Sequence, residues 1–433
     1  MAVRIGIRRE DKSIWERRVP IIPDHVRELK NEGVEVLIQP SEIRIFGDAD
    51  YVAAGAAVEE DLSSCPVVFA VKEIPATFFW RGGTYVFFSH TIKGQKHNMP
   101  MLKKMMELEC QLIDYEKVVD DKGRRLVFFG WHAGVAGMIE TLVAFGRRLE
   151  SNGIESPFLA LKAPHEYGSI DEIKSVLEVI GHWIRVEGLP EEIIPLTVGF
   201  AGYGHVSQGA QEMFDILPTK EVHPSKLNAV SADMNGAKNT IFKTVFKEED
   251  MVVPKASDGV FALQDYYDHP EKYAGIFENY LPYLTVLVNC IYWDERYPRL
   301  VTKDYLKNRW KGTKLQLIGD ITCDIDGSIE VTVKATDPGS PTYVYDPDTD
   351  SIIDGWEGNG PVIMAVDILP SELPKDASIY FSNVLKEFIP AIAKIDQNVE
   401  FSKLDLPEAI KRAVILHRGK LTPDYEYISD FLD

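Results

Sequence analysis

Short apolar runs alternate with amphipathic stretches along roughly the first 120 residues. The runs are rich in β-branched and aromatic residues and lie at 3–7, 34–39, 67–71, 85–89 and 111–115. Between the first two, the segment PDHVRELKNEG begins with a proline suited to a first helical turn and ends at a glycine suited to a C-cap. Strands that alternate with helices in this way predict βαβ units and a mostly parallel sheet, hence an α/β fold.

The middle of the chain has longer periodic segments. Residues 130–150 predict one long helix, whose small residues Ala133, Gly134, Ala136 and Gly137 permit close packing against a neighbour. Ser169 begins the capping-box pattern SIDE and opens a helix to about residue 185. A strand, a glycine turn and a helix follow in TVGFAGYGHVSQGAQEMFDIL. Further on, 303–342 is strand-poor and resembles active-site loops, 361–368 predicts a buried strand, and 378–394 predicts a helix.

Composition limits the class of protein. A chain of 433 residues, with 45% hydrophobic and 26% charged residues, predicts two globular domains. Its net charge of −20 disfavours nucleic acid as a partner. No segment has the length and apolarity of a membrane span or a signal peptide. The four cysteines are scattered without CxxC pairs, so we expect free buried thiols, no metal site and a reducing compartment, the cytoplasm or an organelle matrix.

A glycine-rich turn, GYGHVSQGA at 202–210, connects the predicted strand and helix of this middle region. Gly202 would form the tight turn, Gly204 would let the backbone approach a pyrophosphate at the helix N-terminus, and Gly209 would lie where helix and strand pack closely. His205 and Val206 complete the predicted cofactor-binding turn. The third glycine is displaced from the usual GxGxxG spacing, and a plain strand–helix turn is the alternative to a dinucleotide site.

The acidic residue that would bind a ribose is expected about 20 residues after the turn. Glu221, in KEVHP, is the nearest candidate, and its position is not distinctive. This weakness leaves room for the 2′-phosphate of NADPH.

Polar side chains follow four of the predicted strands. Lys72 and Glu73 follow VVFAV, His90 follows YVFFS, Glu116 follows QLIDY, and Arg18 lies in the loop after the first strand. Ligands of open α/β sheets bind outside the carboxyl ends of the strands, so a parallel sheet would bring these residues to one edge. Each also has a structural alternative: a solvated lysine, a hydrogen-bonded buried histidine, an arginine paired with Glu16, and a carboxylate without a functional role.

These residues would support imine formation between an amine and a 2-oxo acid. A lysine enclosed by apolar strands has a lowered pKa and exchanges protons near neutrality, where a histidine titrates without help. Together they would deprotonate the attacking amine and protonate the water that leaves the carbinolamine. Arg18 offers a planar fork for a carboxylate, and Lys93 adds a positive charge beside His90.

At these residues the sequence resembles a known superfamily. ERRVPIIP at 16–23, VKEIP at 71–75 and FFSHTIKGQ at 87–95 are similar to alanine dehydrogenase and lysine-forming saccharopine dehydrogenase. DYEKVVDDKGRRLVFFGWHAGVAGM at 114–138 resembles the saccharopine enzymes. CIYWDERYPRLVT at 290–302, GDITCDIDGSIE at 319–330 and WEGNGPVIMAVDILPSELP at 356–374 resemble lysine–ketoglutarate reductase, the saccharopine-forming half of bifunctional aminoadipic semialdehyde synthase.

The resemblance implies two Rossmann-type domains with parallel sheets and a cleft between them. Residues 1–135 and 360–433 would form the substrate domain, and 136–359 would bind the dinucleotide. Lys72 and His90 would be the acid/base pair. Arg18, Glu73, Lys93, Gln95 and Glu116 would bind substrate, and Asp320 and Asp324 would lie near the nicotinamide.

The implied reaction is the reductive condensation of L-lysine with 2-oxoglutarate to saccharopine, with NADPH, in lysine degradation. NADH as the cofactor, an NAD-dependent saccharopine dehydrogenase of the lysine-forming type, and an inactive nucleotide-sensing module stay open as alternatives. Because the chain ends at Asp433, where the bifunctional proteins continue, we expect saccharopine as the end product. A separate saccharopine dehydrogenase would then be the partner for the next step.

Overall fold

The structure is a computed structural model that describes residues 3–232 and 237–432. The chain forms two compact units, which are described separately below. Unit 1 comprises Met1–Phe128 with Pro374–Asp433, and unit 2 comprises Phe129–Leu373.

The secondary structure alternates strands and helices through most of the chain. The strands are β1 (Val3–Ile7), β2 (Val34–Ile38), β3 (Ala57–Val58), β4 (Val67–Phe69), β5 (Thr84–Phe87), β6 (Gln111–Asp114), β7 (Thr197–Ala201), β8 (Thr219–Glu221), β9 (Ile241–Phe246), β10 (Val252–Pro254), β11 (Tyr273–Gly275), β12 (Val286–Asn289), β13 (Leu317–Asp320), β14 (Thr342–Asp346), β15 (Ser351–Asp354), β16 (Val362–Met364), β17 (Val414–His417) and β18 (Lys420–Leu421). The α-helices are α1 (Pro23–Asn31), α2 (Asp48–Ala54), α3 (Met99–Glu107), α4 (Gly130–Ser151), α5 (Ile170–Val186), α6 (His205–Phe214), α7 (Leu227–Ala232), α8 (Glu248–Met251), α9 (Leu263–Asp268), α10 (Lys303–Arg309), α11 (Pro374–Leu385), α12 (Ile389–Ala393) and α13 (Glu408–Lys411).

Unit 1 contains a sheet of eight strands in the order β18-β17-β6-β5-β4-β1-β2-β3. The six strands from the N-terminal part of the chain run parallel, whereas β17 and β18 are antiparallel additions at one edge. The carboxyl ends of β1, β4, β5 and β6 therefore lie at the same edge, as the sequence predicts. Buried aliphatic and aromatic side chains of these strands, such as Ile5, Val68 and Tyr85, form the core beneath that edge.

Unit 2 contains a second sheet of eight strands, in the order β15-β14-β16-β13-β12-β7-β9-β8. Strands β8, β9, β7, β12, β13 and β16 are parallel, and β14 and β15 are antiparallel to their neighbours. The chain crosses to opposite sides of β7, which makes the carboxyl end of β7 the topological switch point where open sheets bind ligands. The predicted α/β class with mainly parallel sheets is confirmed.

The limits of the two units differ from the predicted domain limits. Strand β16 pairs with β13, so this segment belongs to unit 2 and the chain returns to unit 1 only at Pro374, not at 360. The first crossing lies at 128/129 rather than 135/136, because the whole of α4 packs within unit 2. The assignment of substrate and dinucleotide roles to the two units stays a prediction.

Several elements are shorter or more numerous than predicted. The predicted helix 378–394 is divided into α11 and α12, since Pro390 lacks the backbone N–H that would continue a helical ladder. The segment 303–342, predicted as strand-poor loops, contains helix α10 and the fully buried parallel strand β13. Within the described residues, the structure has no helix that combines the length and apolarity required to cross a membrane.

Candidate functional site

The glycine turn of unit 2 joins buried strand β7 to helix α6, as predicted. Gly202 has a φ of +93°, which an L-residue rarely adopts, and a Cβ there would lie 3.1 Å from the side chain of Ile291. Gly202 is therefore required by the turn itself. His205, the exposed first residue of α6, and Val206 follow directly.

Gly204 differs from Gly202 because the fold does not require a glycine there. Its φ of −74° and ψ of −172° are ordinary extended values, and it forms the N-cap of α6. A Cβ on Gly204 would meet no heavy atom within 4 Å. Open space at a helix N-terminus, next to a position without a side chain, is the arrangement that admits a phosphate group.

The third glycine of the turn has another role than predicted. A Cβ on Gly209 would overlap the backbone carbonyl of Trp131 in α4, and a Cβ on Gly134 would overlap the carbonyl of Val206 in α6. Gly209 thus permits close contact between two helices rather than between helix and strand. The small residues predicted to allow close packing of α4 are confirmed in this role at Gly134.

A cavity of about 440 Å³ lies beside the glycine turn. It is lined by Gly202–Gly204 and by residues that follow β9 and β12, among them Glu248, Tyr266, Tyr267, Tyr292, Trp293 and Arg299. The volume is in the range of small-molecule and cofactor sites, and the aromatic walls offer stacking surfaces for a planar base. The size and aromatic lining of the cavity are those expected of a site for a planar base.

The strand order places a different acidic residue at this cavity than the sequence suggests. Strand β9, not β8, is paired with β7, and Glu248 follows the end of β9. Glu248 accepts a 2.7 Å hydrogen bond from the hydroxyl of Tyr267. Glu221 lies on the edge strand β8, with its side chain 65% exposed and 3.5 Å from Lys243. Because β9 separates β8 from β7, Glu221 is about 10 Å from the strand that carries the turn.

Asp320 is the last residue of strand β13 in unit 2, and Asp324 lies in the loop that follows it. The carboxylate of Asp320 is buried and accepts hydrogen bonds from the Asn289 amide at 2.8 Å, the Thr332 hydroxyl at 2.6 Å and the Cys323 backbone N–H at 3.2 Å. Burial raises the pKa of Asp320 to about 6. These contacts make Asp320 an organiser of the loop after β13, while Asp324 is exposed.

In unit 1, Glu73 and His90 meet at the carboxyl edge of the parallel sheet. Nδ1 of His90 lies 2.8 Å from Oε1 of Glu73, and Nζ of Lys12 donates to Oε2 of Glu73 at 2.7 Å. Burial raises the pKa of Glu73, but the hydrogen bonds from His90 and Lys12 outweigh it and hold the pKa well below its usual range. An ionised carboxylate at this distance fixes the orientation of the imidazole.

The backbone at His90 is held in an unusual conformation. Its φ is +48°, in the left-handed region that non-glycine residues seldom occupy. The backbone N–H of Ser89 donates to the Asp114 carboxylate at 3.1 Å, and the side-chain amide of Asn98 donates to the His90 carbonyl at 3.1 Å. Such strain persists where surrounding contacts impose it and is common at functional sites.

Lys72 lies three residues after the end of β4 and is half-buried. Its backbone N–H and that of Val71 donate to the two carboxylate oxygens of Glu10, at 3.0 and 2.7 Å. Burial lowers the pKa of Lys72, and the positive charge of Arg18 lowers it further. Burial and the neighbouring Glu16 in turn raise the pKa of Glu10 to about 7.

The guanidinium of Arg18 forms a two-point ion pair with Glu16. Nε lies 2.8 Å from Oε1 and Nη2 lies 2.6 Å from Oε2, and both side chains are buried. The structural alternative noted for Arg18 is therefore present, although inside the protein rather than at its surface. The role of Arg18 in binding a substrate carboxylate stays a prediction.

The remaining predicted substrate residues lie on neighbouring loops of unit 1. Lys93 is exposed, and its backbone N–H donates to the side-chain carbonyl of Gln95 at 3.2 Å. The Glu116 backbone N–H donates to Asp114 at 2.8 Å, and its carboxylate forms an ion pair with Arg125. Glu116 thus already has a cationic partner.

Two residues that contact the predicted site residues of unit 1 were not predicted from the sequence. They are Glu10 and Lys12, in the loop after β1, from which only Arg18 was predicted as a site residue. The signal was present in the sequence, because this loop also follows a parallel strand and carries charged side chains. Glu248 could not be found in this way. It lies near the glycine turn because β9 pairs with β7, and the spacing of residues along the sequence does not predict that pairing.

The mainly parallel sheets and the glycine turn define the class of this protein, a Rossmann-type α/β fold. Residues 6–136 match the family model described as Alanine dehydrogenase/PNT, N-terminal domain. The chain is 40% identical over 441 residues to alpha-aminoadipic semialdehyde synthase of Arabidopsis thaliana, an alignment that covers 98% of this chain and 41% of that protein. It is 36% identical over 440 residues to the mitochondrial alpha-aminoadipic semialdehyde synthase of Mus musculus, covering 98% and 47%.

The chain is homologous to part of the alpha-aminoadipic semialdehyde synthases, and its residues 6–136 are similar to the N-terminal domain of alanine dehydrogenase. It spans less than half the length of these two synthases. A more distant relative is the saccharopine dehydrogenase (NAD(+), L-lysine-forming) of Yarrowia lipolytica, 27% identical over 408 residues, covering 91% of this chain and 93% of that protein. Among solved structures, an L-alanine dehydrogenase shares the fold with a TM-score of 0.62 at 18% identity, covering 99% of this chain and 100% of that chain.

Proposed function

We propose that this protein reductively condenses L-lysine with 2-oxoglutarate to give saccharopine and water, using a reduced nicotinamide dinucleotide. The observation that carries the chemistry is the cluster of Lys72, Glu73 and His90 at one sheet edge of unit 1. The choice of substrates follows the homology with the alpha-aminoadipic semialdehyde synthases, which extends over 98% of the chain.

Lys72 and His90 divide the proton transfers. Lys72, whose pKa is lowered by burial, would accept a proton from the attacking amine of the substrate. His90, oriented by Glu73, donates a proton to the hydroxyl that leaves the carbinolamine as water. Loss of water leaves the C=N double bond of the imine, which a hydride can reduce.

Cationic groups select the anionic oxo acid in an otherwise acidic protein. Arg18 and the exposed Lys93 are the candidates in unit 1, against a net charge of −20 for the chain. The ion pair with Glu16 holds the guanidinium group of Arg18 in one orientation. A substrate carboxylate bound to it would therefore also have a fixed orientation.

The nucleotide would be held in unit 2, with its pyrophosphate at Gly204 and its adenosine in the aromatic cavity. When bound, it supplies the hydride that reduces the imine carbon. The sequence favours NADPH. Glu248 favours NADH, because a carboxylate beside the ribose accepts hydrogen bonds from its hydroxyls and repels a 2′-phosphate. We therefore propose NADH as the preferred form and keep NADPH as the alternative.

The test follows the absorbance of the reduced nucleotide with purified protein and a matrix of substrates. L-lysine with 2-oxoglutarate should support oxidation of NADH and, more weakly, of NADPH, with saccharopine identified by mass. Ornithine, ammonia and pyruvate serve as control substrates in the same matrix. Rapid oxidation with ammonia and pyruvate would instead indicate an alanine dehydrogenase-type reaction. Nucleotide binding without turnover on any pair would indicate a sensing module.

A further inference from the structure

Two carboxyl groups are buried together in unit 2, on elements other than the glycine turn. Glu140 projects from α4 and Glu372 from the short 3₁₀ turn Leu369–Glu372, with residue exposures of 0% and 1%. His165, from the short turn Pro164–Glu166, lies against them with 23% of its side chain exposed. None of these residues has a role in the proposed reaction.

No N–H or hydroxyl group of the described residues donates to most oxygens of this cluster. Both carboxylate oxygens of Glu140 and Oε1 of Glu372 are buried without such a donor, and the two carboxyl groups lie within hydrogen-bonding reach of each other. Nδ1 of His165 lies 3.2 Å from Oε2 of Glu372. Among the described residues, no lysine or arginine forms an ion pair with either carboxylate. Buried carboxylates without compensation are strongly unfavourable, so the cluster requires either a cation or a retained proton.

The geometry fits a cation. One ligand atom from each of Glu140, His165 and Glu372 can be chosen so that all lie within 4.8 Å of one another. Two ligands at about 2.1 Å from a tetrahedral zinc ion are about 3.4 Å apart, close to the separation of the His165 and Glu372 atoms. The part-exposed imidazole leaves a path by which an ion and a completing water ligand can enter.

We propose that Glu140, His165 and Glu372 form a structural binding site for a divalent transition-metal ion of the zinc class. The ion would neutralise the two carboxylates and connect the first helix of unit 2 to its last turn. The sequence predicts no metal site because the three proposed ligands include no cysteine and lie far apart in the sequence. The proposal does not depend on the proposed reaction.

The test uses the whole purified protein and Zn²⁺ alone. After dialysis against a chelator, calorimetric titration should show one Zn²⁺ bound per chain. At a hundredfold excess over Kd, Zn²⁺ should raise the Tm by roughly 3–5 °C. Glu140→Gln and Glu372→Gln should each abolish this binding. Glu166→Gln removes an exposed carboxylate from the same turn as His165 and should retain it.

Two outcomes would overturn the proposal. One is a wild-type protein that is folded but neither binds Zn²⁺ nor changes its Tm with metal or chelator, as expected if the carboxyl pair shares a proton. The other is binding that persists in folded Glu140→Gln protein, which would place the ion elsewhere. The wild-type measurement with chelator decides the matter even if the variants do not fold. Because saccharopine formation is assayed separately, failure of either proposal leaves the other standing.

Discussion

Replacement of Gly204 by valine separates a role in ligand binding from a role in folding. The backbone at Gly204 has φ −74° and ψ −172°, values that a β-branched residue accepts. A Cβ there meets no heavy atom within 4 Å. Loss of the glycine N-cap costs up to about 1 kcal/mol, and reduced freedom of the unfolded chain returns about 0.4–1 kcal/mol. We therefore expect the free energy of unfolding to change by less than about 1 kcal/mol.

Binding should respond very differently. A valine side chain would occupy the space through which a pyrophosphate approaches the amides of α6. The loss of two charge-assisted hydrogen bonds, each worth about 1.5–3 kcal/mol, corresponds to at least a hundredfold weaker binding of NADH or NADPH. The measurement is a fluorescence titration with the reduced nucleotide, beside thermal unfolding of the same sample.

Two further glycine variants serve as controls. Gly312→Val also places a side chain in open space, on an exposed turn of unit 2, and should change neither stability nor binding. Gly209→Ala should lower stability by roughly 1–3 kcal/mol, because its Cβ overlaps the Trp131 carbonyl. If Gly204→Val bound the nucleotide with normal affinity, the turn would have only a structural role and the nucleotide site would have to be sought elsewhere.

Three other expectations follow from the described contacts. Lys72→Met should lower turnover by about 10²–10⁴-fold without weakening nucleotide binding, and the exposed Lys103→Met is its control; equal activity of the two variants would exclude Lys72 from proton transfer. Glu248→Gln should reduce the ratio of NADH to NADPH affinity by roughly 10-fold or more, a change that titration with both nucleotides would detect or refute. The raised pKa of Glu10 means that the folded protein keeps a proton that the unfolded chain releases, so stability should fall by about 3 kcal/mol as the pH rises from about 4.5 to 7. Glu10→Gln should remove this slope from denaturant titrations at a series of pH values, and an unchanged slope would contradict the assignment.

The features that were predictable from sequence are those set by local pattern. The strands of unit 1 were recognisable from short apolar runs, and the long helix α4 from its periodicity and small residues. Because parallel strands share one carboxyl edge, Lys72, Glu73 and His90 could be assigned to one site before any coordinates were known.

The features that escaped prediction depend on contacts between distant segments. Strand β13 was missed because its few buried residues are enclosed by polar loops on both sides. Glu248 was not predicted because the strand order differs from the usual one. The strand directly after the first helix normally pairs with the strand that carries the glycine turn, whereas here β9 pairs with β7 and β8 lies at the edge. The Arg18–Glu16 pair is an alternative that the sequence suggests, but the burial of both side chains depends on segments distant in the chain.

The contact between α4 and α6 has a mechanical consequence. At Gly134 and Gly209 the two helices touch backbone to backbone, with no side chain between them that could change rotamer and absorb a displacement. Sliding of α6 along α4 would therefore bring backbone atoms into overlap, so the two helices can be displaced only together.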